Sequence, residues 1–199
     1  MKPRKIIQQT IVGILTILIL SCFIQSVAAQ GNLVVNGGFD TDASGWTLVN
    51  VSAGYGYLAT GGNPSGCVLL YNPSSPYAST ASQEINSLTP GTLYTVSGDY
   101  SSGGKGIANN SFGVALDGVY LFEANSPPTY NWYSFSFEYM ATSTSALLSI
   151  SAQLNGTGYP YSIDNIAMYA VPEPNSLCLM GVGGMMSALF FRHRRKARR

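Results

Sequence analysis

An all-β domain between two apolar, basic-flanked ends is what the 199-residue sequence predicts, on three observations. Helical 3.6-residue periodicity is missing throughout, whereas short runs rich in Tyr, Phe, Val, Ile and Thr alternate polar with apolar. Clusters of Gly, Pro, Ser and Asn separate those runs, as turns require. The charges are also sorted along the chain. Lys2, Arg4, Lys5 and the six bases from Arg192 onward supply nine of its ten Lys and Arg residues, leaving Lys105 alone between Gln30 and Val171.

Taken in order, the basic Met1–Lys5, the apolar Ile11–Leu20 and the small residues Ser26-Val27-Ala28-Ala29 predict a secretory signal helix at 1–29, cut by signal peptidase after Ala29. An uncleaved anchor would need ~20 apolar residues, about twice the run present. Ile19-Leu20-Ser21-Cys22 loosely fits a lipoprotein cleavage box, but apolar residues continue past Cys22.

The domain proper opens with Asn32–Val35, read as a strand that ends in the turn Asn36-Gly37-Gly38, followed by Phe39, Asp40, Asp42 and Gly45-Trp46. Thr89-Pro90-Gly91-Thr92 places Pro and Gly at the centre of a type II turn. In the strand that follows, Leu93 to Tyr100, Tyr94 and Val96 point inward, and Leu93, Thr95, Ser97 and Asp99 share the other face. Phe112, Val114 and Leu116 lead into an Asp117-Gly118 hairpin turn and a second strand, Val119 to Phe122. Tyr133, Phe135, Phe137 and Tyr139 alternate with Ser134, Ser136 and Glu138, a half-buried strand with an aromatic inner face. Leu148, Ile150 and Ala152 repeat the pattern.

The last strand changes its inward parity. Tyr161 and Ile163 share one face, Ile166 and Met168 the other, so a bulge is expected at Asp164-Asn165. An acid there, flanked by apolar positions, needs a partner. Hydrogen bonds or an edge position facing solvent supply one reading, and a hard cation supplies another.

Charge and residue content exclude several functions. Between Gln30 and Val171, Lys105 faces Asp40, Asp42, Glu84, Asp99, Asp117, Glu123, Glu138 and Asp164, a net charge of −7 that repels nucleic acid. The single histidine, His193, lies in the basic tail, which removes His-dependent triads, general bases and metal ligands from the domain. Cys22 falls in the signal and Cys178 in the apolar tail, so Cys67 has no disulfide partner in the domain and is expected to be a small buried hydrophobe.

The C-terminal residues run Val171-Pro172-Glu173-Pro174, then a glycine-broken apolar stretch from Leu177 to Phe191, then an arginine cluster. A basic cluster after an apolar helix stays on the cytoplasmic side. Fifteen apolar residues are short for a permanent transmembrane helix, so a transient membrane anchor is expected in place of an ordinary tail anchor. This tripartite order resembles the PEP-CTERM sorting signal that exosortase processes, with Pro172, Glu173 and Pro174 as its motif. The resemblance implies a Gram-negative host with an exopolysaccharide system, an inner-membrane intermediate, and release to the cell surface or extracellular matrix.

The opening Asn32–Asp40, Trp46, Trp132 before an aromatic strand, and the closing Tyr161-Ser162-Ile163-Asp164-Asn165-Ile166 together resemble carbohydrate-binding modules of the galactose-binding-like jelly roll. That implies an antiparallel two-sheet sandwich with its first and last strands close together and one structural Ca2+ between them. By position Asp40 and Asp164 would be its ligands and Trp46 and Trp132 core residues. The expected domains are 1–29 signal peptide, 30–170 β-sandwich and 171–199 sorting segment with a short apolar helix.

Three functions follow. One is a non-catalytic module that binds carbohydrate, an exopolysaccharide or biofilm glycan, through some of its 13 tyrosines. Tyr55 and Tyr57 share parity in a Gly-spaced segment, and Tyr77 and Tyr130 lie in Pro- and Ser-rich loops. For any single tyrosine, packing inside a sandwich is the simpler account. The second is a purely structural surface protein whose charge is bridged by divalent cations. The third is a glycoside hydrolase working with carboxylates alone, for which Asp40 and Asp42 form the only close pair and turn chemistry explains both.

Overall fold

The computed structural model describes residues 31–74, 77–103, 110–125, 131–154 and 159–172. Gln30–Val171 make one compact unit. Both terminal helices expected from the sequence lie outside the described residues. Among the described residues no helix is long and apolar enough to cross a membrane.

The domain is built from β1 (Thr47–Val49), β2 (Gly56–Leu58), β3 (Cys67–Leu70), β4 (Ser79–Asn86), β5 (Leu93–Ser102), β6 (Ser111–Leu116), β7 (Val119–Asn125), β8 (Trp132–Met140), β9 (Ser145–Gln153) and β10 (Tyr161–Ala170). Two five-stranded sheets result, in the orders β1-β4-β9-β6-β7 and β2-β3-β10-β5-β8. All their pairings are antiparallel.

Alternation decides what each strand buries. In β5, Tyr94, Val96 and Tyr100 are buried, and they pair across to Tyr139, Phe137 and Tyr133 of β8 on the same inner face. Phe112 of β6 stacks on Tyr100 at 4.7 Å and on Tyr161 at 5.5 Å, so rings from both sheets meet in the middle. Each fully buried side chain of this size contributes about 1.5–3 kcal/mol of transfer free energy. At Gly98 a Cβ would lie 2.5 Å from Ile166 Cδ1, which is why glycine interrupts β5 where the bulge pushes Ile166 inward.

The turns follow their residues. Thr92 N–H donates to Thr89 O at 3.0 Å with Gly91 at φ +84°, closing the Pro-Gly turn. Asp117 and Gly118, at φ +50° and +79°, make the two-residue hairpin between β6 and β7.

The opening segment differs from expectation. Asn32–Val35 forms no ladder, because side chains take its backbone partners. The Asn32 Oδ1 accepts from Val34 N–H at 3.0 Å and Met168 N–H at 2.9 Å, while Gln83 accepts from Val35 N–H at 2.8 Å. The segment still lies against β10, through Leu33 N–H to Met168 O and Ile166 N–H to Gly37 O, both 2.9 Å.

The domain therefore has two unlike ends. Val171 leaves beside the start of β5, its N–H bonded to Leu93 O at 2.8 Å. The loops joining β1 to β2, β3 to β4 and entering β10 sit at the opposite end.

Candidate functional site

The parity change at the end of the chain is the seed of the first site. Pairing of β10 with β5 slips between Asp164 and Ala167, and Asn165 sits at φ +53°, as a bulge requires. Asp164 faces outward opposite Asp99, yet the residue is fully buried. The cover is the loop from Gly61 to Gly66. Its fit leaves no room for side chains: a Cβ on Gly62 would overlap the Gly66 carbonyl, and one on Gly66 would overlap the Phe39 carbonyl. That second contact brings Asp40 to the same place, where Ser65 Oγ donates to its Oδ1.

Hydrogen bonds tie the three acids together. Asp164 accepts from Asn63 N–H at 2.5 Å and from Asn165 N–H at 2.7 Å. Asp99 accepts from Asn165 Nδ2 at 2.9 Å, Asn63 Nδ2 at 3.2 Å and Ser134 Oγ at 2.7 Å. The Asn165 amide also donates to the Asn63 carbonyl. Burial raises the Asp164 pKa above the usual carboxylate range, the two N–H donors oppose the shift, and the Asp99 and Asp40 charges add to it. Burial and the Asp164 charge push the neighbouring Cys67 thiol up to about 11.

No base occurs among the described residues, so the carboxylates have no cationic side chain to pair with there. Hard oxygen donors of this kind suit calcium. Among the described residues no three His, Cys, Asp or Glu side chains converge as an ion-holding set. Asp40 and Asp164 are the residues that would hold such a cation, each carboxylate oxygen having a second lone pair to offer.

The second site is the loop end. Tyr55 is exposed and packs on Tyr71 at a ring distance of 4.4 Å, held by Tyr55 N–H to Ser52 O at 3.0 Å and Ser52 N–H to Tyr71 O at 2.9 Å. Tyr77 is 71% exposed, in the segment that leads into β4. Tyr57 departs from its expected place beside Tyr55. It pairs with Val68, whose side chain is in the core, and is half-buried against that core. Tyr130, Glu173 and Pro174 lie outside the described residues, and Pro172 is exposed. Trp46 is in the core as expected, its Nε1 donating to Val35 O at 3.1 Å. Trp132 is not: it is half-buried opposite Ser101, one step out of phase with the aromatic inner face of β8.

Sequence reasoning missed Asp99, Asn63 and Ser65 at the first site and Tyr71 and Tyr159 at the second. The outward parity of Asp99 was the one available signal.

Just past β10 the chain enters a segment whose relationship is decided by comparison. Residues 170–196 match the PEP-CTERM protein-sorting motif. The motif marks an exported protein that is sorted to the cell surface. No curated protein matches the sequence.

The sandwich has known counterparts. It is similar to the CBM22-1–GH10 modules of endo-1,4-β-D-xylanase 10B from Clostridium thermocellum, complexed with xylohexaose, at TM-score 0.56 and 18% identity over 72% of this chain and 29% of that one. It is similar to TmCBM61 in complex with β-1,4-galactotriose at TM-score 0.53 and 15% identity, over 71% of this chain and 100% of that one. A Stig cyclase, Fisc from Fischerella sp. TAU, matches at TM-score 0.53 and 15% identity over 74% of this chain and 100% of that one. At these identities the likeness establishes the fold, a jelly-roll sandwich shared with carbohydrate-binding modules.

Proposed function

We propose that this is a non-catalytic surface protein whose sandwich binds extracellular carbohydrate, an exopolysaccharide or biofilm glycan. The observation that carries the reading is an exported jelly roll presenting exposed tyrosines, among them Tyr55 and Tyr77, at one loop end. Aromatic faces with hydroxyl edges suit stacking on a sugar ring. Against catalysis, the most buried acid, Asp164, is locked by two backbone N–H donors under the loop, and no histidine occurs among the described residues. A glycan array and a polysaccharide pull-down with the full chain test the reading. Retention on at least one matrix glycan without turnover is expected. No retention by folded protein would return the protein to a purely structural role, and hydrolysis of the glycan would make it an enzyme.

In this proposal one structural Ca2+ bound by Asp40 and Asp164 braces the Gly61–Gly66 loop and the opening segment against β10. Its removal by chelator is expected to lower the melting temperature, and a melt indifferent to calcium would remove the ion. Signal peptidase and exosortase are the proposed processing partners, the second acting at Pro172-Glu173-Pro174 while the apolar tail transiently holds the protein at the inner membrane of a Gram-negative host. Replacing Glu173 with Ala is then expected to leave protein in the membrane fraction, and unchanged release would refute it.

A further inference from the structure

The chain enters and leaves the sandwich at one end. Asn32 and Leu33 bond to Met168, two residues before β10 ends: Asn32 Oδ1 accepts from Met168 N–H and Leu33 N–H donates to Met168 O, both at 2.9 Å. Val171 leaves just beyond. Both apolar runs of the sequence are therefore joined to the domain at this end, opposite the loop end that carries Tyr55, Tyr77 and Tyr159, the tyrosine end. Residues 172–176 alone separate Val171 from the apolar run that begins at Leu177, a reach of at most about 22 Å.

Exposed aliphatic side chains collect at the same end. A row of contacts crosses it from sheet to sheet: Val171 N–H bonds to Leu93 O at 2.8 Å, Leu93 pairs with Met140, the adjacent Tyr139 OH donates to Asp117 Oδ2 at 3.3 Å, and Asp117 Oδ1 accepts from Leu147 N–H at 2.8 Å. Val119 follows the Asp117-Gly118 turn. Val119, Met140 and Leu147 are 61%, 58% and 43% exposed. The turns here, 87–92, 117–118 and 141–144, hold one charged residue, Asp117, and both its carboxylate oxygens accept hydrogen bonds. Glu84 and Glu138 stand two residues back from the strand ends Asn86 and Met140, roughly 7 Å at strand rise. The linker adds Glu173 and no base.

We infer that the Val171 end is a lipid-contacting surface, on which Val119, Met140 and Leu147 rest against the bilayer interface while the apolar tail holds the chain in the membrane. The inference rests on the membrane-held intermediate proposed above. Exposed apolar side chains gathered at one place mark an interaction surface, and the short linker selects the partner, since the bilayer is never more than a few residues away. Tethering makes a weak contact sufficient, because the second encounter is intramolecular. With acids and no base among the described residues there, the contact is with the apolar part of a zwitterionic interface and not with anionic headgroups. Three side chains do not anchor a domain by themselves, so cutting the linker releases it. Until then the tyrosine end points away from the lipid.

The test reconstitutes the full chain in phosphatidylcholine vesicles, with or without bromine on the acyl chains as a fluorescence quencher, and compares Met140→Trp, Val119→Trp and Tyr77→Trp with the parent. Circular dichroism and melting establish that each variant is folded. Flotation with the vesicles is expected for all of them. Met140→Trp and Val119→Trp should then lose emission to the brominated lipid and shift to the blue, whereas Tyr77→Trp should match the parent. Floating protein in which Tyr77→Trp is quenched as much as the other two, or in which none is quenched beyond the parent, overturns the surface and leaves the tail as an anchor. A blue shift without quenching that fades as the protein is diluted in lipid assigns the patch to a second copy of the chain and overturns it as well. Protein that does not float overturns both the surface and the membrane-held intermediate.

Discussion

The Asp164 region and the tyrosine end are made by loops of the same sandwich, yet they are organised in opposite ways. Around Asp164 nearly every polar atom is committed to another part of the chain, glycines permit backbone to touch backbone, and a buried charge is retained at a cost. At the tyrosine end the side chains stand out from the fold, and at Gly54 a Cβ would meet nothing within 4 Å. The first arrangement fixes the loops in place. The second leaves surface available to something outside the protein.

The largest effects should come from the packed region. Gly66→Ala drives a Cβ into the Phe39 carbonyl and is expected to destabilise by about 3 kcal/mol or more. Gly54→Ala, at φ +85°, should cost only about 1 kcal/mol, from its left-handed backbone. Equal losses in chemical denaturation would erase the contrast.

The pH response comes next. Because the Asp164 pKa is raised in the folded state, its protonation favours folding. In chelator, its contribution should grow as pH falls from 7 toward the unfolded carboxylate value of 3.8. It should be lost again as pH rises through the raised value. The measure is the difference in melting temperature between the parent and Asp164→Asn, which should widen in favour of the parent on acidification. A narrowing difference would refute the assignment.

Alkaline pH gives a smaller effect, from Cys67 beside Asp164 and from Tyr161 on the inner face of the same sheet. Cys67 is raised to about 11 and Tyr161 to about 12. Stability present below their unfolded values of 9.0 and 10.0 should be lost as pH rises through 11 and 12. Cys67→Ala should flatten the early part of that loss in melts between pH 8 and 11. An unchanged profile would mean the thiol is not the titrating group. Smallest of all, Tyr77→Ala should change stability by no more than about 0.5 kcal/mol, and a larger drop in urea denaturation would show that the ring is a packing element.

The fold was legible wherever strands alternate. The aromatic face of β8, the Tyr94-Val96 face of β5, the Pro-Gly turn and the parity change at Asp164-Asn165 all follow from local pattern, because one face of each strand must reach the core. What local pattern does not encode is which side chains substitute for a ladder. Asn32 and Gln83 do so for the opening segment and convert an expected strand into a bonded turn. The same limit applied to the sites. Asp40 and Asp164 could be singled out, but Asn63 and Asp99 join them only through contacts 101 and 66 residues away in sequence. Tyr55 and Tyr57 looked alike by parity, and pairing with Val68 separated them.

β10 is the middle strand of its sheet, bonded on one side to β3 and on the other to β5, and the sorting segment continues directly from it. A pull applied between a partner at the tyrosine end and an attachment beyond Val171 runs along this strand. Its interstrand hydrogen bonds lie across that direction, so they share the load together instead of opening one after another. Under the proposed binding and sorting, such a load would reach the domain in shear along its central strand.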